Sequence, residues 1–115
     1  MTSRAERISE EIKRDLMDII RHDVHDPRID SLISITDVVV SGDLSYAKIY
    51  VSKIGSDTER SELIEALEKA NGFIRTLLSK RLKTRSVPEL SFHLDNSMIY
   101  GAKIDGILNE LERNN

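Results

Sequence analysis

Hydrophobic residues at helical spacing near the start of the chain predict a first helix. Ser3 and Glu6 have the spacing of a capping box, in which each side chain satisfies an unpaired amide at the helix start. The helix is expected to end before Asp26-Pro27, because proline disfavours helical geometry in the residue that precedes it. Its apolar stripe consists of Ile8, Ile12, Leu16, Ile19 and Ile20.

Alternating hydrophobic and polar positions then predict two strands. The alternation of the first slips by one residue near Thr36-Asp37, as a β-bulge would produce. Ser41-Gly42-Asp43 is a turn signal, so the two strands should form an antiparallel hairpin. The inward positions are Ile33, Ile35, Val38 and Val40 in the first strand and Ala47, Ile49 and Val51 in the second, whereas Tyr46, Lys48, Tyr50 and Ser52 face solvent.

A long segment of helical period follows Gly55 and contains an internal glycine. Ser56 and Glu59 fit a second capping box. Gly72 costs about 1 kcal/mol relative to alanine inside a helix, so we predict a kink or break at Ala70-Asn71-Gly72. A straight helix that tolerates the glycine is the alternative. The apolar positions are Leu63, Leu67, Ala70, Ile74, Leu77 and Leu78, ending near Leu82.

Pro88 opens a third predicted strand, and Asn96 or Ser97 caps a final helix. The expected order is helix, strand, strand, helix, kink, helix, strand, helix. Helices can cover only one face of so small a sheet, so residues 1–115 should form one α+β domain, a two-layer sandwich. Inward strand positions are Leu90, Phe92 and Leu94, and the last helix carries Ile104, Ile107, Leu108 and Leu111.

Composition narrows the function classes. The chain of 115 residues has no cysteine, which excludes disulfide frameworks, thiol nucleophiles and cysteine-ligated zinc. No apolar run approaches the roughly 18 residues of a membrane span, and the first residues lack the apolar stretch of a secretory signal. We therefore predict a cytoplasmic protein with no membrane partner.

The charge is distributed unevenly. Residues 69–85 contain six basic and no acidic residues, so with a net charge of −3 the remainder carries −9. This asymmetry indicates a local polyanion site surrounded by repelling surface. The alternative is a solvated helix face with its counter-charges elsewhere. Glu65 and Glu68 are interpreted as solvated helix positions.

The element order is that of a type II KH domain with one helix added. KH domains clamp a nucleic-acid backbone with a GxxG loop between two helices, but this junction reads Ala70-Asn71-Gly72. The chain thereby resembles the ribosome-binding factor A family, in which an Ala-x-Gly kink replaces the loop. Other matching segments, over about 100 residues, are Asp26-Pro27-Arg28-Ile29, Val40-Ser41, Asp43-Leu44, Ala47, Tyr50-Val51-Ser52, Gly72-Phe73-Ile74-Arg75, Arg85, Pro88-Glu89-Leu90, Phe92, Asp95 and Ser97.

The resemblance implies a bacterial assembly factor that binds the free small ribosomal subunit and its rRNA. Late maturation of that subunit, processing of its rRNA and growth in the cold would depend on it. Other assembly factors or GTPases are further candidate partners. We expect a monomer with no catalytic activity, no cofactor and no bound metal.

The predicted RNA site centres on the kink, because a helix N-terminus attracts phosphate through its dipole and unpaired amides. Such contacts position RNA without reading its sequence. The predicted RNA-binding residues are Lys69, Asn71, Gly72, Arg75, Lys80, Arg81, Lys83 and Arg85. Secondary candidates are Arg7, Arg14, Arg28, Tyr46 and Lys48. Tyr46, Lys48 and Tyr50 have the alternation of a base-stacking face, although such residues are also ordinary strand formers.

The sequence is also compatible with a protein-docking role, and one cluster of residues resembles a metal site. A protein-docking module of KH-like fold without RNA contact would also explain the pattern, and its binding would depend little on salt. His22, Asp23, His25 and Asp26 are the one cluster that suggests a metal site. Their spacing is loose and no distant ligand matches them, so no metal is predicted.

Overall fold

The computed structural model describes residues 3–29, 33–82 and 86–95. The predicted final helix, together with Lys83 and Arg85, lies outside these residues. The described elements confirm the α+β prediction. They are α1 (Arg4–His22), β1 (Ile33–Val40), β2 (Tyr46–Lys53), α2 (Asp57–Lys69), α3 (Asn71–Arg81) and β3 (Glu89–Leu94).

Local capping sets the helix starts. The Ser3 hydroxyl accepts a hydrogen bond from the Glu6 amide at the start of α1. Ser56 and Glu59 form the complete reciprocal capping box at the start of α2. Each cap satisfies amides that have no partner inside their helix, and typically contributes about 1 kcal/mol. The two predicted helix starts are therefore explained by side chains that cap them.

The three strands form one mixed sheet in the order β1-β2-β3. β1 and β2 are antiparallel, and β2 and β3 are parallel. The register moves from Ile35 opposite Val51 to Asp37 opposite Tyr50, so Thr36 is the extra residue of the predicted bulge. In the hairpin turn the left-handed residue is Leu44, with φ 64°, and not Gly42.

The helices cover one face of the sheet and enclose the hydrophobic core. α1 packs on β1 and on α3, while α2 packs on β3. The sheet face opposite to the helices is largely polar and exposed. The side chains with no exposed surface are Ile12, Leu16, Ile19, Ile49, Val51, Leu63, Leu67, Ile74 and Leu78.

Side chains from the helices occupy both outer edges of the sheet. On β1, the Met17 sulfur accepts from the Ile35 amide at 3.4 Å, and the Lys13 ammonium approaches the Thr36 carbonyl at the same distance. On β3, Glu68 accepts from the Phe92 amide at 2.9 Å. Edge strands with unpaired backbone groups invite pairing with other chains, so these contacts protect the sheet.

Candidate nucleic-acid interface

The predicted helix break is present and is the centre of the candidate interface. Ala70 ends α2 and also precedes the first residue of α3, with φ −85° and ψ −1°. The straight-helix alternative is therefore wrong. No side chain caps the start of α3, and its first turn contains no acidic residue. This helix start therefore has the electrostatics of an anion-binding position.

Gly72 lies exposed in the first turn of α3. A Cβ added there would meet nothing within 4 Å, and the residue does not have a positive φ. Neither backbone conformation nor packing therefore requires glycine at this position. A glycine that the fold does not need is consistent with close approach of a ligand to the backbone.

Phe73 is the residue at this site that the sequence analysis missed. Its side chain is 53% exposed, beside the open position at Gly72. An exposed aromatic ring next to an uncapped helix start provides a surface on which a base can stack. The available signal was its place just before the buried Ile74, one step off the apolar stripe of α3.

Lys69 presents its charge to solvent next to the break, and Lys80 does so in the last turn of α3. Lys69 lies 3.9 Å from Glu65 in a surface ion pair, which contributes little stability and is readily exchanged. Lys80 is exposed and forms no hydrogen bond or ion pair within the described residues. Both ammonium groups are therefore available to neutralise phosphates.

Arg75 and Arg81 have structural partners. Arg75 donates through Nη2 to the Val87 carbonyl at 2.8 Å. Arg81 lies 2.5 Å from an Asp18 carboxylate oxygen and 3.8 Å from Asp23. For Arg81 the counter-charges thus lie on α1, as the solvated-face alternative proposed. Residues 69–85 contain no acidic residue, but in the folded chain the acidic residues Asp18 and Asp23 lie next to Arg81.

The Arg81–Asp18 pair makes stability depend on pH. Hydrogen bonding from Arg81 lowers the pKa of Asp18 below the ordinary 3.8. The folded state thus binds this proton less readily than the unfolded state, so the stabilisation is complete above pH 3.8 and is lost as the pH falls through the folded-state pKa. We expect Arg81→Gln to lower Tm by about 3 °C at pH 7, with the difference from the original chain shrinking as the pH falls through the folded-state pKa of Asp18. Thermal unfolding from pH 7 to pH 2.5 measures this, and a constant difference at all pH values would contradict it.

Asn71 is half-buried, and its side chain is hydrogen-bonded to the protein. Its side-chain amide donates to the Leu90 carbonyl at 2.9 Å and to Glu68 at 3.2 Å. Glu68 is exposed, as interpreted from the sequence, but its carboxylate also accepts hydrogen bonds from Asn71 and the Phe92 amide. Asn71 and Glu68 therefore connect the helix break to β3.

The secondary candidates are distributed over α1, the loop after it and β2. Arg7 and Arg14 are exposed on α1. Arg28 donates to both carboxylate oxygens of Asp26, at 3.1 and 2.9 Å, and this hydrogen bonding lowers the pKa of Asp26. Tyr46 and Lys48 lie on the sheet face away from the helices. Two of the secondary candidates adjoin the candidate interface, because Arg14 lines a pocket with Arg81 and Arg28 lies 4.0 Å from Glu65, the partner of Lys69.

On that same sheet face, Tyr50 packs against His93 with the ring centroids 5.6 Å apart. Tyr46 remains 60% exposed.

Among residues 3–29, 33–82 and 86–95, no group of three or more metal-ligating side chains comes together. Within the same residues, no helix is long and apolar enough to cross a membrane.

Comparison with known proteins identifies close relatives. A ribosome-binding factor A from Acetivibrio thermocellus is 50% identical over 112 residues, covering 97% of this chain and 91% of that protein. A ribosome-binding factor A from Staphylococcus carnosus is 48% identical over 110 residues, covering 96% and 95%.

Solved structures agree with these relatives. The crystal structure of ribosome-binding factor A from Thermus thermophilus aligns with a TM-score of 0.71 and 25% identity, over 81% of this chain and 97% of that one. A homology model of the Thermus thermophilus factor, fitted into the cryo-EM map of a complex with 30S, aligns with a TM-score of 0.63 and 25% identity, over 76% of this chain and 91% of that one. The family model described as ribosome-binding factor A matches residues 4–108, and this chain belongs to that family.

Proposed function

We propose that this protein binds the free small ribosomal subunit through its rRNA and assists late maturation and processing of that RNA in the cytoplasm. The observation that carries the proposal is the uncapped start of α3, open at Gly72 with the exposed Lys69 beside it. Because the chain belongs to this family, we also propose that it supports growth at low temperature. We further propose that it acts as a monomer and contacts other assembly factors or GTPases.

The chemistry of the surface favours positioning over sequence recognition. Phosphate oxygens suit the amides and dipole of a helix start, and lysine ammonium groups neutralise phosphates nearby. Phe73 adds a stacking surface that accepts any base. Any effect on rRNA processing then arises because the bound RNA is held in a shape that a separate nuclease can trim.

The 30S complex that contains the Thermus thermophilus relative supports the choice of partner. Two features of this chain fit such a partner. Its net charge of −3 discourages indiscriminate binding to RNA, while the cations near the break remain exposed. A large folded RNA surface can also engage one face of a small domain without a single-stranded recognition site.

Co-sedimentation with purified small subunits and with whole ribosomes, across a salt series, tests the proposal. We expect pelleting with free small subunits at low salt and progressive loss of binding as salt rises, because each phosphate contact releases counterions. Binding that resists salt would favour the protein-docking alternative. Absence of binding at low salt would contradict the proposed function.

A further inference from the structure

Side chains from α2 and α3 bind the backbone on the outer edge of β3. The Glu89 amide donates to the Ser45 carbonyl, and the Asp95 amide donates to the Val51 carbonyl. Backbone groups of a strand alternate in direction, so these bonds turn residues 89, 91, 93 and 95 toward β2. Leu90 and Phe92 consequently present their backbone groups on the outer edge, where Asn71 and Glu68 meet them at 2.9 Å.

The partners form an ordered row across the helix break. Glu68 lies on α2, and Asn71 and Arg75 follow on α3, spaced by three and four residues as on one helix face. Their backbone partners run along the strand in the opposite sense, and are Phe92, Leu90 and Val87 in turn. One side of the break is therefore bonded along the strand edge, and the opposite side carries the exposed Gly72.

We propose that Glu68 and Asn71, here called the edge clasp, are positioning residues that set the helix break for RNA binding. This inference rests on the proposed function. An Ala-Asn-Gly sequence has no conformational device of its own here, since Gly72 has no positive φ and a Cβ there would meet nothing. The clasp supplies what the local sequence lacks, because it fixes both the end of α2 and the start of α3 to the same strand.

The clasp has a second consequence for specificity. Its side chains occupy the outward backbone groups of Leu90 and Phe92, so an added strand or a base edge cannot pair there without displacing Glu68 and Asn71. Contact with RNA is thereby directed to the open side of α3. The Glu68 carboxylate near an anion-binding helix start is tolerated because it is engaged by two hydrogen-bond donors.

Hydrogen exchange at the Phe92 amide tests the clasp directly, because Glu68 is its acceptor. We expect Glu68→Ala to raise the exchange rate of this amide at least tenfold and to leave the Asp95 amide, which is bonded to Val51, unchanged. Glu68→Gln keeps an acceptor oxygen and should stay within about threefold of the original rate. Uniformly faster exchange at all amides in Glu68→Ala would indicate general destabilisation and would overturn the inference.

The affinity of the Glu68 variants for free small subunits tests whether the clasp matters for binding. Glu68→Ala should weaken binding about five- to tenfold, and Glu68→Gln should restore it. Glu10→Ala, which removes an exposed carboxylate on α1, should have no effect. If Glu68 acted only by repelling phosphate, both Glu68 variants would bind more tightly, which would overturn the clasp. If Glu68→Ala speeds hydrogen exchange at the Phe92 amide but leaves subunit binding unchanged, the positioning role is wrong and the proposed function stands. If the original chain itself does not bind subunits, the proposed function fails, and the positioning role for RNA fails with it.

Discussion

Replacing Lys69, Lys80 and Lys83 by glutamine should weaken binding to the free small subunit on the order of 100-fold at low salt. Each lysine removed from a phosphate contact costs about 1 kcal/mol or more, and three such losses approach this factor. The slope of log affinity against log salt should also become shallower by about two to three. Binding isotherms at several salt concentrations measure both quantities.

The choice of lysines follows from the contacts of the neighbouring arginines. Alanine at Arg75 or Arg81 would also remove the bonds to Val87 and Asp18, so a weaker affinity would have two explanations. A matched control replaces Arg4 and Arg21 on α1 by glutamine and is compared with the Lys69 and Lys80 double variant, which changes the net charge equally. If the control weakens binding as much as the lysine variant, the effect comes from overall charge, and the site assignment is wrong.

Gly72→Ala should act in opposite directions on binding and stability. The methyl group would project from the first turn of α3 into open space, so the fold should gain about 0.5–1 kcal/mol from improved helix propensity. Binding to the small subunit should fall at least tenfold, because the methyl group would stand where a phosphate or ribose approaches the backbone. Urea unfolding and co-sedimentation measure the two effects.

Gly42→Ala is the control for this prediction. Gly42 is also exposed, has no positive φ, and has nothing within 4 Å of an added Cβ, but it lies in the hairpin turn. It should leave subunit binding unchanged. If Gly72→Ala binds as tightly as the original chain, then Gly72 does not contact the RNA.

Much of the fold could be predicted because its signals are local. The caps at Ser3 and Ser56, the slipped alternation at Thr36 and the glycine at Gly72 each act within a few residues. The hairpin turn shows the limit of such signals. Gly42 marked its place, yet the left-handed conformation is adopted by Leu44.

The contacts of the candidate site could not be predicted, because they join distant residues. Asp18 and Arg81 are 63 positions apart, and Glu68 and Phe92 are 24 apart. Charge counting along the chain treats Arg81 and Glu68 as solvated groups, since it contains no information on which helix or strand will face them. Phe73 was missed for a related reason, because exposure of an aromatic residue depends on how the helix packs.

The parallel pairing of β3 with β2 has a consequence for synthesis of the chain. β1 and β2 are separated by a five-residue turn, so their hairpin can close early, whereas 35 residues separate β2 from β3. Such nonlocal pairing is slow, because the entropy of closing a long loop is lost before the contacts form. In the growing chain, β2 is therefore an edge strand with Ala47, Ile49 and Val51 incompletely covered. The nascent chain is most vulnerable to aggregation in this interval, before the residues of β3 leave the exit tunnel.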